Sequence, residues 1–261
     1  MKIPYFIIAF LLFIQLCAAQ TLKNTLSIQH LKGKVKKIES KSYDGDPNAV
    51  KLDTLTSSSG SIDLFDENGN EVELDIFGKD GSMLLRLIKK YNEKNENIEE
   101  DDFDKSGVKT DSIVFKYDAT GNLTQSDRTS IQDKTNSQTL YKYDDKGNNI
   151  EDNIFRPDGS LQYKDIYKYD SKGNKIEMDY FHAKEDTMRV KWTFIYNDAG
   201  IRVEEGRHKP TGELQIENTF TYENPDMKGN WLLETRKSKG QNKEFANHLT
   251  SSFTVRKIYY Y

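Results

Sequence analysis

The side chains that could do chemistry in this sequence are mainly carboxylates, and two acidic runs stand out. Residues 99–102 (Glu-Glu-Asp-Asp) and 204–205 (Glu-Glu) offer the paired carboxylates that glycosidases use for acid–base catalysis. Both runs lie in segments with strand-like alternation, where neighbouring residues point to opposite faces and cannot converge on one bond. We therefore predict solvated surface charge at both runs, and no catalytic residue.

Metal and nucleophile chemistry receive little support from the sequence. Residues 66–70 (Asp-Glu-Asn-Gly-Asn) resemble the first half of a calcium loop, but the glycine is misplaced and no glutamate follows at the distance of the bidentate ligand. The histidines are isolated, without the spacing of a zinc motif, and are expected at the surface. They are His30, His182, His208 and His248. We predict no metal site, no cofactor and no enzyme activity.

The aromatic residues are the ambiguous feature of the sequence. Most of them are expected to form the core. Tyrosines or tryptophans left uncovered on a curved sheet would instead stack on sugars or hold a protein partner. Trp192 and Trp231 are the candidate ligand-binding residues.

Aromatic residues also mark a fixed period along the chain, with successive spacings of 26, 26, 26, 26, 27 and 26 residues. The positions are Phe65, Tyr91, Tyr117, Tyr143, Tyr169, Tyr196 and Tyr222. A period of this length predicts a repeat array. Most of these residues open an Asp-x-x-Gly turn, such as residues 118–121, and a second turn follows about twelve residues later.

Between the turns, apolar and polar residues alternate with the period of an antiparallel strand. Residues 189–196 are typical, with Val190, Trp192 and Phe194 on one face. We predict an all-β antiparallel meander of about 14 strands, built from 26-residue double-strand repeats. Because one face is rich in aromatics, the sheet should curl into a shell-like, barrel-like or sandwich-like form.

The N-terminus predicts export. Residues 1–19 combine a lysine, a short apolar run and small residues before Gln20, as in a cleaved signal peptide. Residues 20–60 are interpreted as a lead-in strand and loop that could form a cap. Residues 61–230 form the array, and residues 231–261 are closing strands of the same domain. With a formal charge of −4, nucleic acid is not an expected partner, and no membrane span is expected after the signal is removed.

The turn Tyr-Asp-x-x-Gly-Asn-Leu at residues 117–123, with its relatives at Tyr143, Tyr169 and Phe65, resembles the YD repeat of RHS proteins. Together with residues 31–36 and the end of the chain, it is similar to small secreted RHS-repeat-like proteins of Gram-negative bacteria, mostly without assigned function. The resemblance implies a strand–turn–strand plan and an exported protein in the periplasm, on the outer cell surface or released.

Three functions remain open from the sequence. The leading hypothesis is a non-catalytic exported β-repeat protein that acts as a binding or structural module at the cell envelope, with an envelope protein or a glycan as partner. The alternative is a carbohydrate-binding accessory protein that uses exposed aromatics. A glycan-active enzyme is third. An aromatic strip flanked by Asn and Asp on one exposed face would favour sugar binding, a fully buried strip would favour a structural module, and convergent buried carboxylates would favour an enzyme.

Overall fold

Consecutive strands pair in antiparallel fashion along the whole described chain, and the last strand pairs with the first. A computed structural model describes residues 30–48, 58–183, 187–240 and 249–261. Within them, sixteen strands form one closed barrel. The prediction of an all-β, barrel-like meander is confirmed. The predicted signal segment, residues 1–19, and His248 lie outside the described residues.

The first eight strands are short, and tight turns connect the second through to the eighth. They are β1 (Val35–Asp44), β2 (Ser59–Phe65), β3 (Glu71–Phe77), β4 (Met83–Tyr91), β5 (Asn97–Asp104), β6 (Lys109–Tyr117), β7 (Leu123–Ser130) and β8 (Thr135–Tyr143). The second eight are β9 (Asn149–Phe155), β10 (Leu161–Tyr169), β11 (Lys175–His182), β12 (Thr187–Tyr196), β13 (Arg202–His208), β14 (Leu214–Glu223), β15 (Leu233–Gly240) and β16 (Leu249–Tyr260).

The count of sixteen strands exceeds the predicted number of about 14. The array was expected to supply two strands for each of seven periods, whereas β1 and β16 add one strand at each end. They pair with each other over almost their full length, from Val35 opposite Tyr260 to Asp44 opposite Ser252. This pairing leaves no free sheet edge among the described strands, and free edges are the sites where sheets aggregate.

The turns have the geometry that their sequences predict. Gly121, Gly147 and Gly173 have φ values of 87°, 80° and 84°, where glycine avoids the strain of a side chain. Asn95 takes the glycine position of its turn with φ of 60°. At each of these four turns the backbone forms a tight hydrogen-bonded loop, for example from Gly121 N to Asp118 O.

The recurring tyrosines tie neighbouring hairpins together. Each hydroxyl donates to a backbone carbonyl 20 or 21 residues earlier, at the start of a strand in the preceding hairpin. The donors are Tyr91, Tyr117, Tyr143, Tyr169, Tyr196 and Tyr222, at oxygen–oxygen distances of 2.7–2.9 Å. Tyr261 completes the circle by donating to the carbonyl of Phe65.

The two faces of the barrel wall differ in burial. Alternate residues such as Glu100, Asp102 and Asp165 are buried, whereas Val114 and Ile195 on the opposite face are exposed. In a closed barrel the buried face is the inner one. A small apolar cluster of Val35, Ile38 and Phe65 lies near the closing strands, and Leu31, Ile258 and Tyr260 pack against it.

No helix in the described part of the chain is long and apolar enough to cross a membrane.

Candidate functional site

The candidate site is a stretch of the inner face on β8 to β12, named here the aromatic wall. Its members are Tyr141, Asp152, Tyr163, Asp165, Tyr167, Tyr180 and Trp192. Cross-strand register places Tyr141 opposite Asp152, Asp152 opposite Asp165, and Asp165 opposite Tyr180. The row therefore has two carboxylates at its centre and a tyrosine at each end. Side chains directly opposite one another in such pairs are close enough to interact.

Asp152 is held by two donors from its own surroundings. The Asn149 side-chain amide donates to Oδ1 at 2.7 Å, and the Tyr167 hydroxyl donates to Oδ2 at 2.7 Å. Burial raises the pKa of the Asp152 carboxyl, although these hydrogen bonds act in the opposite direction. Burial also raises the pKa of the Tyr167 hydroxyl, so that it remains a donor.

Asp165 is held much less firmly. Its relative exposure is 8%, and its Oδ1 has no hydrogen-bond partner in the part of the chain that the structure describes. Burial, followed by the charge of Asp152, raises the pKa of Asp165 to about 7. A buried carboxylate oxygen without a donor is costly, and an unpaired group of this kind calls for a functional explanation.

Aromatic rings surround this carboxylate pair. The rings of Tyr163 and Tyr180 are 5.4 Å apart and tilted by 32°, and the His182 ring lies edge-on to Tyr163 at 5.3 Å. Trp192 continues the surface on β12, where it is paired with Met178. His182 is half-buried against Tyr163, which corrects its predicted surface position. The position of His182 is set by strand pairing and not by a ligand motif.

Several other inner-face carboxylates have a cation nearby. Lys89 Nζ lies 2.5 Å from Glu71 Oε1 and 3.8 Å from Glu100 Oε2, with all three side chains buried. Arg128 Nε lies 2.9 Å from Asp111 Oδ1, and its Nη2 lies 3.6 Å from Asp102. The Lys89 cluster satisfies the rule that buried charges are paired, whereas Asp102 Oδ1 has no hydrogen-bond partner among the described residues.

A third cluster lies on β13 to β15. Glu205 accepts from the Asn218 side chain at 2.7 Å and pairs with Arg202 at 3.0 Å. Asn218 in turn accepts from Ser238 at 2.5 Å. This network joins three neighbouring strands and is consistent with a structural role.

The two predicted ligand-binding residues lie in different places. Trp192 is half-buried on the aromatic wall. Trp231 precedes β15. Its ring lies 5.2 Å from the Tyr222 ring, centroid to centroid, in a tilted arrangement, and the Arg256 guanidinium lies 3.4 Å above its centroid. Burial lowers the pKa of Arg256 to about 10. The described contacts do not join Trp192 and Trp231 in one site.

The prediction of surface charge at the two acidic runs is wrong in part. Neighbouring carboxylates do point to opposite faces, since Glu99 pairs with the exposed Lys90 while Glu100 lies at Lys89. However, Glu100, Asp102 and Glu205 are buried. The prediction considered only neighbours along one strand, and so it did not include pairs that converge across strands, such as Asp152 with Asp165. The sequence does contain a feature from which this pair could be predicted, because the turn at Pro157 fixes the register of the hairpin.

The calcium-like segment forms an ordinary turn. Asp66 Oδ1 accepts from the backbone nitrogens of Asn68 and Asn70, both at 2.9 Å, and its Oδ2 accepts from the Asn70 amide. The Asn70 amide also donates to Asn95 Oδ1 in the next repeat at 2.9 Å. Within residues 30–48, 58–183, 187–240 and 249–261, no three His, Cys, Asp or Glu side chains are arranged to hold a metal ion.

Comparison with known proteins gives a structural likeness only. No protein-family model and no curated protein matches the chain. A porin-like protein from Bacteroides uniformis superposes with a TM-score of 0.59 at 9% identity, covering 87% of this chain and 99% of that one. This similarity shows the barrel fold alone. A Tc toxin chain, TcdB2-TccC3 without its hypervariable C-terminal region, superposes with a TM-score of 0.30 at 12% identity, covering 78% of this chain and 16% of that one.

Proposed function

We propose that the protein is a non-catalytic, exported binding or structural module of the cell envelope, and that it holds its ligand on the aromatic wall. The observation that carries the proposal is the row of Tyr141, Asp152, Asp165 and Tyr180 on the inner face, with an unsatisfied oxygen on Asp165. Sixteen-stranded barrels are wide enough for a water-filled interior, so an inner wall can meet a ligand.

The outer face supports a module surrounded by water. Ion pairs cross neighbouring strands there: Lys90 with Glu99 at 2.8 Å, Lys142 with Glu151 at 2.6 Å and Lys168 with Glu177 at 2.5 Å. Barrels that cross a lipid bilayer present an apolar band on this face. The charged outer face therefore favours a barrel in the periplasm, at the cell surface or released from the cell.

The repeat unit and the family resemblance belong to the same proposal. We assign the unit to the 26-residue hairpin that begins at each recurring tyrosine, in the manner of the YD repeat. Its support is the hydrogen bond from each tyrosine hydroxyl to the preceding hairpin, which recurs from Tyr91 to Tyr222. Such a unit adds strands without changing the contacts of its neighbours, which suits an array.

Carbohydrate binding is the second candidate, favoured by the composition of the aromatic wall. Sugars are recognised by rings that stack on their apolar faces and by carboxylates or amides that accept or donate to hydroxyls. The wall offers Tyr163, Tyr180 and Trp192 as rings, with Asp152, Asp165 and Asn149 beside them.

The test is binding of the mature chain to a glycan array and to immobilised envelope polysaccharide. Trp192→Ala should abolish retention, whereas Ile195→Ala, on the outer face of the same strand, should retain it. Trp231→Ala, outside the wall, serves as the second control. Circular dichroism should show an unchanged β spectrum for each variant. Retention that survives Trp192→Ala contradicts the assignment of the wall.

A separate measurement tests whether the protein is non-catalytic. Incubation of bound glycans with the protein should release no shorter product by mass spectrometry. Two carboxylates that face one another also occur in glycosidases. Product formation that disappears in Asp165→Asn would therefore replace the binding module with an enzyme.

A further inference from the structure

We propose that the aromatic wall recognises a protonated amino group, placed at the carboxylates of Asp165 and Asp152, with the body of the ligand against Tyr163 and Tyr180. This inference rests on the proposed function, because it names the ligand chemistry of the same wall. The chemical class is a small molecule with a primary ammonium, such as an amino sugar or a diamine.

Asp152 and Asp165 lack a direct ion pair among the described residues. On β3 to β7 the inner carboxylates lie near Lys89 or Arg128, and on β13 Glu205 pairs with Arg202. Within the ranges that the structure describes, Asp152 and Asp165 have no cation in ion-pair contact. Lys175 lowers the pKa of both carboxyls through its charge, but its Nζ lies over the Tyr167 ring. Buried carboxylates directly opposite one another repel, so a cation from outside would stabilise them most.

Asp165 has unused hydrogen-bonding capacity. Asp152 already accepts from Asn149 and Tyr167, whereas Asp165 Oδ1 accepts from nothing among the described residues. At 8% exposure, Asp165 is more than nine-tenths buried. An ammonium has three donors and no acceptor, and it would satisfy Asp165 while approaching Asp152.

Aromatic rings lie on both sides of Asp165. Cations bind over aromatic faces, and rings arranged as a cage are a common way to hold ammonium groups. The chain already shows this contact at the site, since Lys175 Nζ lies over the Tyr167 ring, 3.5 Å from its centroid. Tyr163 and Tyr180 offer a second tilted pair of rings on the other side of Asp165.

The pH dependence of ligand affinity gives an independent measurement, because Asp165 titrates near neutral pH. The pKa of this carboxyl is raised to about 7 by burial and by Asp152. The groups that face it are Asp152 on β9, Tyr180 on β11 and Tyr163 and Tyr167 on its own strand, and the Lys175 charge lowers its pKa. An ammonium binds the ionised form, so the affinity for putrescine, whose amines stay protonated in this range, should rise between pH 5 and pH 8.

The experiment is titration calorimetry of the full mature chain with three matched sugars and one diamine. Glucosamine carries the ammonium, N-acetylglucosamine carries a neutral amide at the same carbon, glucose carries a hydroxyl, and putrescine carries ammonium without a sugar ring. We expect glucosamine to bind at least about tenfold more tightly than N-acetylglucosamine and glucose. Asp165→Asn should remove this preference, and Asp152→Asn should reduce it.

The control variant is Glu151→Gln, which removes the same charge one residue from Asp152 but on the outer face, where Glu151 pairs with Lys142. It should keep the preference. Equal binding of the three sugars, unchanged by Asp165→Asn, overturns the ammonium site and leaves the sugar-binding wall intact. Binding of putrescine together with glucosamine supports the ammonium site and identifies the amine as the recognised group. Absence of binding by all four overturns the ammonium site, while the glycan array and the envelope polysaccharide decide separately on the sugar-binding wall.

Discussion

The inner wall on β3 to β7 and the inner wall on β9 to β12 are built from the same kind of hairpin but differ in how buried carboxylates meet cations. In the first region Lys89 and Arg128 lie within ion-pair distance of the carboxylates around them, although Asp102 Oδ1 has no hydrogen-bond partner among the described residues and burial raises the pKa of Asp102 to about 7. In the second, Asp152 faces Asp165 and aromatic rings surround the pair. A region whose charges are satisfied internally is stable without a ligand, whereas a region whose carboxylates are not satisfied is available for one. We therefore assign a structural role to the buried charges on β3 to β7 and a ligand-binding role to those on β9 to β12.

The largest effect is expected at the first region. Lys89→Met leaves Glu71 and Glu100 buried without their cation, and breaking a buried pair in this way costs about 3–5 kcal/mol. Urea unfolding at pH 7 measures the loss. The matched control is Lys90→Met on the outer face of the same strand, where the exposed pair with Glu99 is screened by water and should contribute little to stability. Equal losses in the two variants would break the comparison.

The turns should behave alike in both regions, because the scaffold is the same. Gly121→Val and Gly173→Val each place a branched side chain at positive φ and should cost about 1–3 kcal/mol. At Gly173 the nearest atom to an added Cβ is 3.8 Å away, so the cost is backbone strain and not a clash. Thermal or urea unfolding checks this. Gly→Asn at the same positions should cost less, as the natural Asn95 suggests.

The tyrosine hydroxyls should also contribute equally. Tyr91→Phe and Tyr169→Phe each remove one hydrogen bond to a backbone carbonyl, which should cost about 0.5–1.5 kcal/mol. Tyr43→Phe is the control, because no hydrogen bond of its hydroxyl occurs within the described residues. A loss at Tyr169 much larger than at Tyr91 would show that the second region depends on its hairpin contacts more than the first.

Asp165→Asn should reduce the free energy of unfolding least of these substitutions, and at higher pH it should increase it. The folded protein binds the Asp165 proton more tightly than the unfolded chain, since its pKa is raised to about 7 from an ordinary value of about 4. This carboxyl therefore makes the free energy of unfolding fall as the pH rises from about 4 to about 7.

The groups that set this titration are Asp152 on β9, Tyr180 and Lys175 on β11, and Tyr163 and Tyr167 on β10 itself. Asp165→Asn removes the contribution of Asp165, so the variant should gain stability relative to the natural protein between pH 5 and pH 8. Parallel urea titrations at the two pH values decide this. A variant that loses stability at pH 8 would place Asp165 among the internally satisfied groups of the first region.

The candidate site was only partly predictable from the sequence. Trp192 was identified as a binding candidate because it is a large aromatic residue in an alternating strand, and it lies on the aromatic wall. Asp152 and Asp165 were missed, because they are thirteen residues apart and meet only through the register of one hairpin. Glu100 and Asp102 were predicted as surface charge because burial of a carboxylate depends on a cation from a neighbouring strand.

The sequence by itself determined the local structure: an alternating pattern that forms strands, Asp-x-x-Gly turns with positive φ, and a tyrosine at a constant spacing. These follow from backbone sterics and short-range hydrogen bonds, which depend on neighbouring residues alone. Only the tertiary structure decided that β1 meets β16, and therefore that the curled sheet closes into a sixteen-stranded barrel. Closure depends on twist and stagger accumulated over all strands. The same closure made one face the inside, and so decided which carboxylates are buried and which of them have a cation.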